Sequence, residues 1–217
     1  TFYLSGMDSY FQVMSGSIRP AERIGVTMFV GQNIYGSAAY LMSFAIPILT
    51  MKLISEERKS MTLPFLISAP ISISEIIIGK FLGLLIFLSS LVIYIFLMLS
   101  TMNIWADIDF GYLIANSFGL ILLISAFVAL GTFFSSLTSQ PIISAVLSFI
   151  ALFAMMMAGR YFASDPEHWF NYVSLLPHYQ SFSKGIIDSA DVAYFVLFTA
   201  TFIVLTIRRL DSDRLRG

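Results

Sequence analysis

Three stretches of this chain run without a single charged side chain: from Arg23 to Lys52, from Lys80 to Asp107, and from Asp109 to Arg160. About 20 predominantly apolar residues suffice to cross the hydrocarbon core of a bilayer as a helix, and each run is longer than that. Composition agrees: 58% of the residues are hydrophobic and only 12% charged, where a soluble domain carries about a quarter charged. The chain reads as an all-α integral membrane protein.

The runs place spans at about 31–53, 76–100, 112–134, 141–159 and 189–207, giving a polytopic helical bundle of five complete spans in one permeating domain over 1–217. In the first span, Asn33, Gly36, Ser37 and Ser43 make one side small and polar, which suits helix contact, and Pro47 removes a backbone donor and can kink it. The span at 76–100 is apolar all round, as for a helix facing lipid. The third run is too long for one helix. SSLTSQP (135–141) divides it, with Pro141 suited to the first position of the next helix. Asn116, Ser117, Ser125, Gly131 and Thr132 give the 112–134 span polar or small positions that either line a substrate path or bring helices close.

Several function classes fall away. A net charge of −1 gives no basic surface for nucleic acid. With no cysteine there is neither a disulfide framework nor a thiolate metal site. Asp107 and Asp109 lack further ligands and read as a solvated turn rather than a cation site. Met155, Met156 and Met157 point in different directions around a helix, which does not suit copper(I). No metal and no catalytic constellation is expected: His168 and His178 fit neither HExxH nor a Ser/His/Asp arrangement. Trp169, Phe170, Tyr172, Tyr179 and Phe182 suit an external segment, 160–188, lying in the membrane interface. The one GK, Gly79-Lys80, is followed by Phe81 and lacks the upstream glycine of a P-loop, so no nucleotide site is present and any ATP-driven work needs a partner.

The connection at about 54–75 carries the most local information. Glu56, Glu57, Arg58 and Lys59 mark the exit from the bilayer. Ser60 and Thr62 can cap a short new helix, Pro64 suits its first turn, and Pro70 stops it. Leu63, Phe65, Leu66 and Ile67 supply an apolar face that either seats in a groove of a soluble partner or rests on lipid headgroups. Ser72 or Ser74 caps the next helix, with Glu75 in its first turn. Placing this connection inside puts Lys52, Arg58, Lys59, Lys80, Arg208, Arg209, Arg214 and Arg216 on the inner side, against Arg19, Arg23, Arg160 and Lys184 outside. That asymmetry obeys the positive-inside rule. After Arg208 and Arg209 the tail DSDRLRG reads as a polar terminus.

LTMKLISEERKS (49–60) followed by LISAPISISEIIIGKFLG (66–83), then SSLTSQPIISAVLSF (135–149) and LPHYQSFSKGIID (176–188), resembles the ABC-2 type permeases, more narrowly those of the gliding-motility-associated or copper-processing type. Two positions depart from the usual pattern: Met61 where that family has Gly, and Pro64 where it has Glu. The resemblance implies a permease subunit of an ATP-driven transporter, an exporter, in a bacterial inner membrane among its lipids. It implies a cytoplasmic ABC ATP-binding subunit that holds ATP and Mg, and a second permease subunit. The 55–72 loop would then be the coupling helix, with Glu56, Glu57, Arg58, Lys59 and Thr62 meeting the ATPase by polar contact and Leu63, Phe65 and Leu66 filling its groove. The resemblance also implies a sixth span missing or truncated before Thr1, and short re-entrant or interfacial outer helices before the last span.

Two other readings stand beside it. One is a membrane anchor that transports nothing, holding an ATPase that drives surface machinery. The other is an intramembrane lipid or glycan enzyme with His168 or His178 as base.

Overall fold

The computed structural model describes residues 26–62, 71–101, 109–161 and 174–216. Among them the chain is helical throughout and contains no strand, as a bilayer demands of a segment that must satisfy its own backbone. The elements are α1 (Val26–Thr50), α2 (Ser55–Lys59), α3 (Ile73–Ser100), α4 (Phe110–Leu137), α5 (Pro141–Tyr161), α6 (Leu175–Ser183) and α7 (Ser189–Arg216).

Local chemistry sets several of the ends. Ser72 and Glu75 form a reciprocal capping box at the start of α3, with Ser72 N–H donating to Glu75 Oε2 at 2.9 Å. Asp109 caps α4 by accepting from Tyr112 N–H at 3.2 Å, so this carboxylate has a structural task. Pro141 opens α5 as expected. Asp107, His168 and the aromatic residues 169–172 lie outside the described residues, as does everything before Val26.

Four helices, α1, α3, α4 and α7, are long and apolar enough to cross a membrane. The apolar stretch of α5, Pro141–Met157, is shorter. The protein is thus a multi-pass membrane protein. One boundary differs clearly from the sequence reading: the last helix does not close at 207 but runs on to Arg216. Arg209 and Asp213 lie one turn apart and pair at 3.6 Å, a helical spacing inside what looked like a loose tail.

α4 is the centre of the bundle, in contact with α1, α3, α5, α6 and α7. Of its apolar window 72% is buried, against 17% for α3 and for α7. α3 buries only a narrow stripe, Ile73, Ile77, Phe81, Leu88, Val92 and Leu99, whose spacings of four and seven residues keep to one face of a helix. Its remaining faces, including Leu82, Ile86, Phe87 and Tyr94, are exposed, as the all-round apolar sequence led us to expect.

Close approach of α1 and α4 occurs at Gly131, which lies directly under Thr50 in the last turn of α1. Two buried hydroxyls on α4 are satisfied within the helix: Ser125 Oγ donates to Leu122 O at 2.7 Å and Thr132 Oγ1 to Val128 O at 2.6 Å.

α6 turns one face into the bundle: Leu175, Tyr179 and Phe182 are buried, with Phe182 against Gly119 of α4. Gly185, at φ +80, ends the helix with its N–H donating to Phe182 O at 2.9 Å and with Ile186 N–H donating to Ser181 O at 3.0 Å, a turn that glycine adopts without a Cβ penalty.

Candidate functional site

Two regions stand out, at opposite ends of the bundle. At the end where α1, α3, α4 and α7 meet the loop, α2 is a helix of only five residues, Ser55–Lys59. It occupies the charged stretch read as the exit from the bilayer. Ser60 and Thr62 close this helix: Ser60 Oγ donates to Glu56 O at 2.8 Å and Thr62 Oγ1 to Glu57 O at 3.2 Å; the helix they are expected to open, past Thr62, lies outside the described residues.

Of the expected partner-contacting residues, Glu56, Lys59 and Thr62 are exposed. Glu57 and Arg58 are turned inward. Glu57 pairs with Lys80 of α3, whose ammonium also donates to Leu53 O at 2.6 Å. Arg58 donates to Asp213 of α7 at 2.5 Å. Leu63, Phe65 and Leu66, with Pro64 and Pro70, lie outside the described residues. Sequence reasoning treated Lys80 as a span boundary and Asp213 as tail, and so missed both. The Arg209/Asp213 spacing was the available signal.

Met61 adopts φ 58, the left-handed conformation that costs an L-residue roughly 1–2 kcal/mol. Glycine would adopt this conformation without that cost. Its side chain is exposed, so packing gives no compensation. Met61→Gly is expected to stabilise the end of α2 by about 0.5–1 kcal/mol, the strain relieved less glycine's entropy cost. Slower hydrogen exchange of the Met61 and Thr62 amides is the readout.

Towards the other end, a cavity of about 570 Å³ lies between α1, α4, α5 and α6, lined among others by Gly36, Tyr40, Leu123, Phe127, Met156 and Tyr179. Its volume falls in the range of ligand pockets, and no charged residue lines it. Burial pushes the Tyr179 phenol well up from its ordinary value, so it stays neutral.

None of Asn116, Ser117, Ser125 and Thr132, singled out as path or packing residues, lines this cavity. Ser117 shares a 2.6 Å hydrogen bond with Tyr35 of α1, Ser125 lies 3.2 Å from Thr199 of α7, and Asn116 Nδ2 donates to Tyr112 O at 3.0 Å. The first two contacts join helices, and the third lies within α4. Beside the cavity, His178 Nδ1 lies 2.6 Å from Asp191 Oδ1 and its ring stacks on Tyr194 at 4.0 Å between centroids. That pair ties α6 to α7.

A helical bundle that is polytopic, apolar on its outer faces and carries a charged surface helix at one end defines an integral membrane protein. The chain belongs to the ABC-2 family: the model described as ABC-2 family transporter protein matches residues 14–207. No curated protein and no solved structure matches it.

Proposed function

We propose that this chain is the transmembrane permease subunit of an ATP-driven exporter in a bacterial inner membrane, with the α2 end facing the cytoplasm. It has five spans, α5 included. It pairs with a second permease subunit and with cytoplasmic ABC ATP-binding subunits, which carry ATP and Mg²⁺. The narrower kinship with gliding-motility-associated or copper-processing permeases rests on the residues of the loop.

The observation that carries this reading is α2 itself. It is a short helix in the loop that resembles the family's coupling element, held against the bundle by ion pairs while Glu56 and Lys59 stay exposed. Residues 63–66 follow directly and would supply the apolar anchor, with rim charges setting register. The competing reading, an anchor that transports nothing, needs no cavity. The apolar cavity between α1, α4, α5 and α6 favours transport, and its lining favours a cargo with an apolar portion.

Purification from native membranes without crosslinker is expected to bring down a stoichiometric P-loop ATPase, and Phe65→Asp to release it while membrane insertion stays normal. Loss of a buried aromatic anchor costs about 2 kcal/mol or more, about thirtyfold in affinity. Recovery of the chain alone, or an ATPase retained by Phe65→Asp, contradicts respectively the permease reading or the place of Phe65 in it.

A further inference from the structure

We infer that Lys80 and Asp213 are positioning residues that make α2 move as one body with α3 and α7, so that a displacement imposed on α2 by an ATP-binding subunit enters two spans at once. This rests on the permease reading above. It goes beyond it by assigning the transmission to residues outside the loop.

A helix of five residues is far below the length at which a helix holds itself together in water. The orientation of α2 is therefore fixed by what it is tied to. Three ties reach three different helices. Lys80 of α3 joins both Glu57 and Leu53 O. Asp213 of α7 receives Arg58 on one oxygen and faces Arg209 with the other at 3.6 Å, which fixes the carboxylate from behind. Ser135 of α4 accepts from the N–H groups of Ile54 and Ser55 at 3.1 and 3.0 Å and donates to Met51 O at 3.1 Å, satisfying donors that the start of a short helix leaves open.

Beneath the ion pairs, Ile54, Ile73, Ile77 and Leu210 form a small buried cluster joining the same elements. The four charged side chains are only 21–30% exposed, so these are not the weak pairs of an open surface. The bearings differ in freedom. α4 is the buried centre of the bundle, whereas α3 and α7 face outward over most of their surface. A push on α2 pivots at Ser135 on the fixed helix and swings the two peripheral ones.

The test uses the chain purified with its ATP-binding subunit and compares ATP hydrolysis by the complex with that of the ATP-binding subunit alone. Asp213→Asn and Lys80→Gln remove charge at nearly constant shape. Each is expected to keep the subunit bound at wild-type stoichiometry and to cut the membrane subunit's effect on hydrolysis about tenfold. Arg58→Gln combined with Asp213→Asn should be no worse than either alone, because the two act as a pair. Asp213→Glu should restore most of the effect. If either charge-removing variant melts well below the wild type, Arg58→Lys takes its place, keeping the charge but losing the fork, with partial loss expected.

Wild-type hydrolysis in the charge-removing variants, release of the ATP-binding subunit by them, or additive losses in the double variant each overturn the inference. A wild-type chain that retains no ATP-binding subunit fails the permease reading instead, and that is seen before any variant is made.

Discussion

Gly131→Leu is expected to lose at least about 2–3 kcal/mol of stability, the upper part of the range for overpacking a tight interface. A Cβ at Gly131 would overlap Thr50 Oγ1 and come within 2.8 Å of its Cβ and 3.0 Å of its Cγ2. Thr50 has no room to yield. It is completely buried, β-branched and therefore stiff, and its hydroxyl already donates to Ile46 O at 2.9 Å. The strain falls where α1 hands over to α2, so α1 and α4 must separate or α2 must lose its seat. Thermal unfolding in detergent should show a midpoint lower by about 10 °C, taking a few degrees per kcal/mol for a chain of this length. Gly131→Ala with Thr50→Ala should recover most of what Gly131→Ala alone loses. A double variant no better than the single one would remove this contact from the account.

Gly36→Phe is expected to do the reverse, leaving the fold intact and removing function. Gly36 lines the cavity, and a Cβ there meets nothing within 4 Å. Replacing a mid-helix glycine by phenylalanine also relieves part of glycine's propensity cost, about 0.5 kcal/mol, so the melting point should hold. The ring would fill space between α1 and α5. If that space is the route of an apolar cargo, complementation of a strain lacking the protein should fail while the ATP-binding subunit still co-purifies. Full complementation by Gly36→Phe would exclude the cavity as the route and favour the anchor reading.

Much of the helical layout was legible because charge is so costly in a bilayer. The gaps between Arg23, Lys52, Lys80, Asp109, Arg160 and Arg208 bracket α1, α3, the α4–α5 pair and the apolar part of α7. Pro141 and Ser72 with Glu75 marked helix starts because capping and proline chemistry act over three or four residues. The error at α7 came from applying the same logic too far: a charged end is the end of the apolar stretch, not of the helix, and Arg209 with Asp213 carries it on. Ser60 and Thr62 were recognised as capping residues, but their bonds back to Glu56 and Glu57 at the end of α2 were not foreseen, since a hydroxyl can accept from a helix that follows or donate to one that precedes.

The candidate site was legible only in outline. The sequence located the charged loop and, through its likeness to ABC-2 permeases, gave it a role. It could not say that Glu57 and Arg58 face inward, because their partners Lys80 and Asp213 lie 23 and 155 positions away. Nor could it find the cavity, whose walls come from four helices and include none of the polar residues that drew attention on α4.

By itself, then, the sequence determined that this protein lives in a membrane, where its long apolar helices lie, and the family to which it belongs. These follow from composition and short-range pattern, which every residue reports independently. Tertiary structure alone decided which helix is central, which charges are spent within the chain and which stay exposed, and where a cavity opens. Those depend on side chains far apart in sequence meeting at a few ångströms, and no local pattern encodes such a meeting.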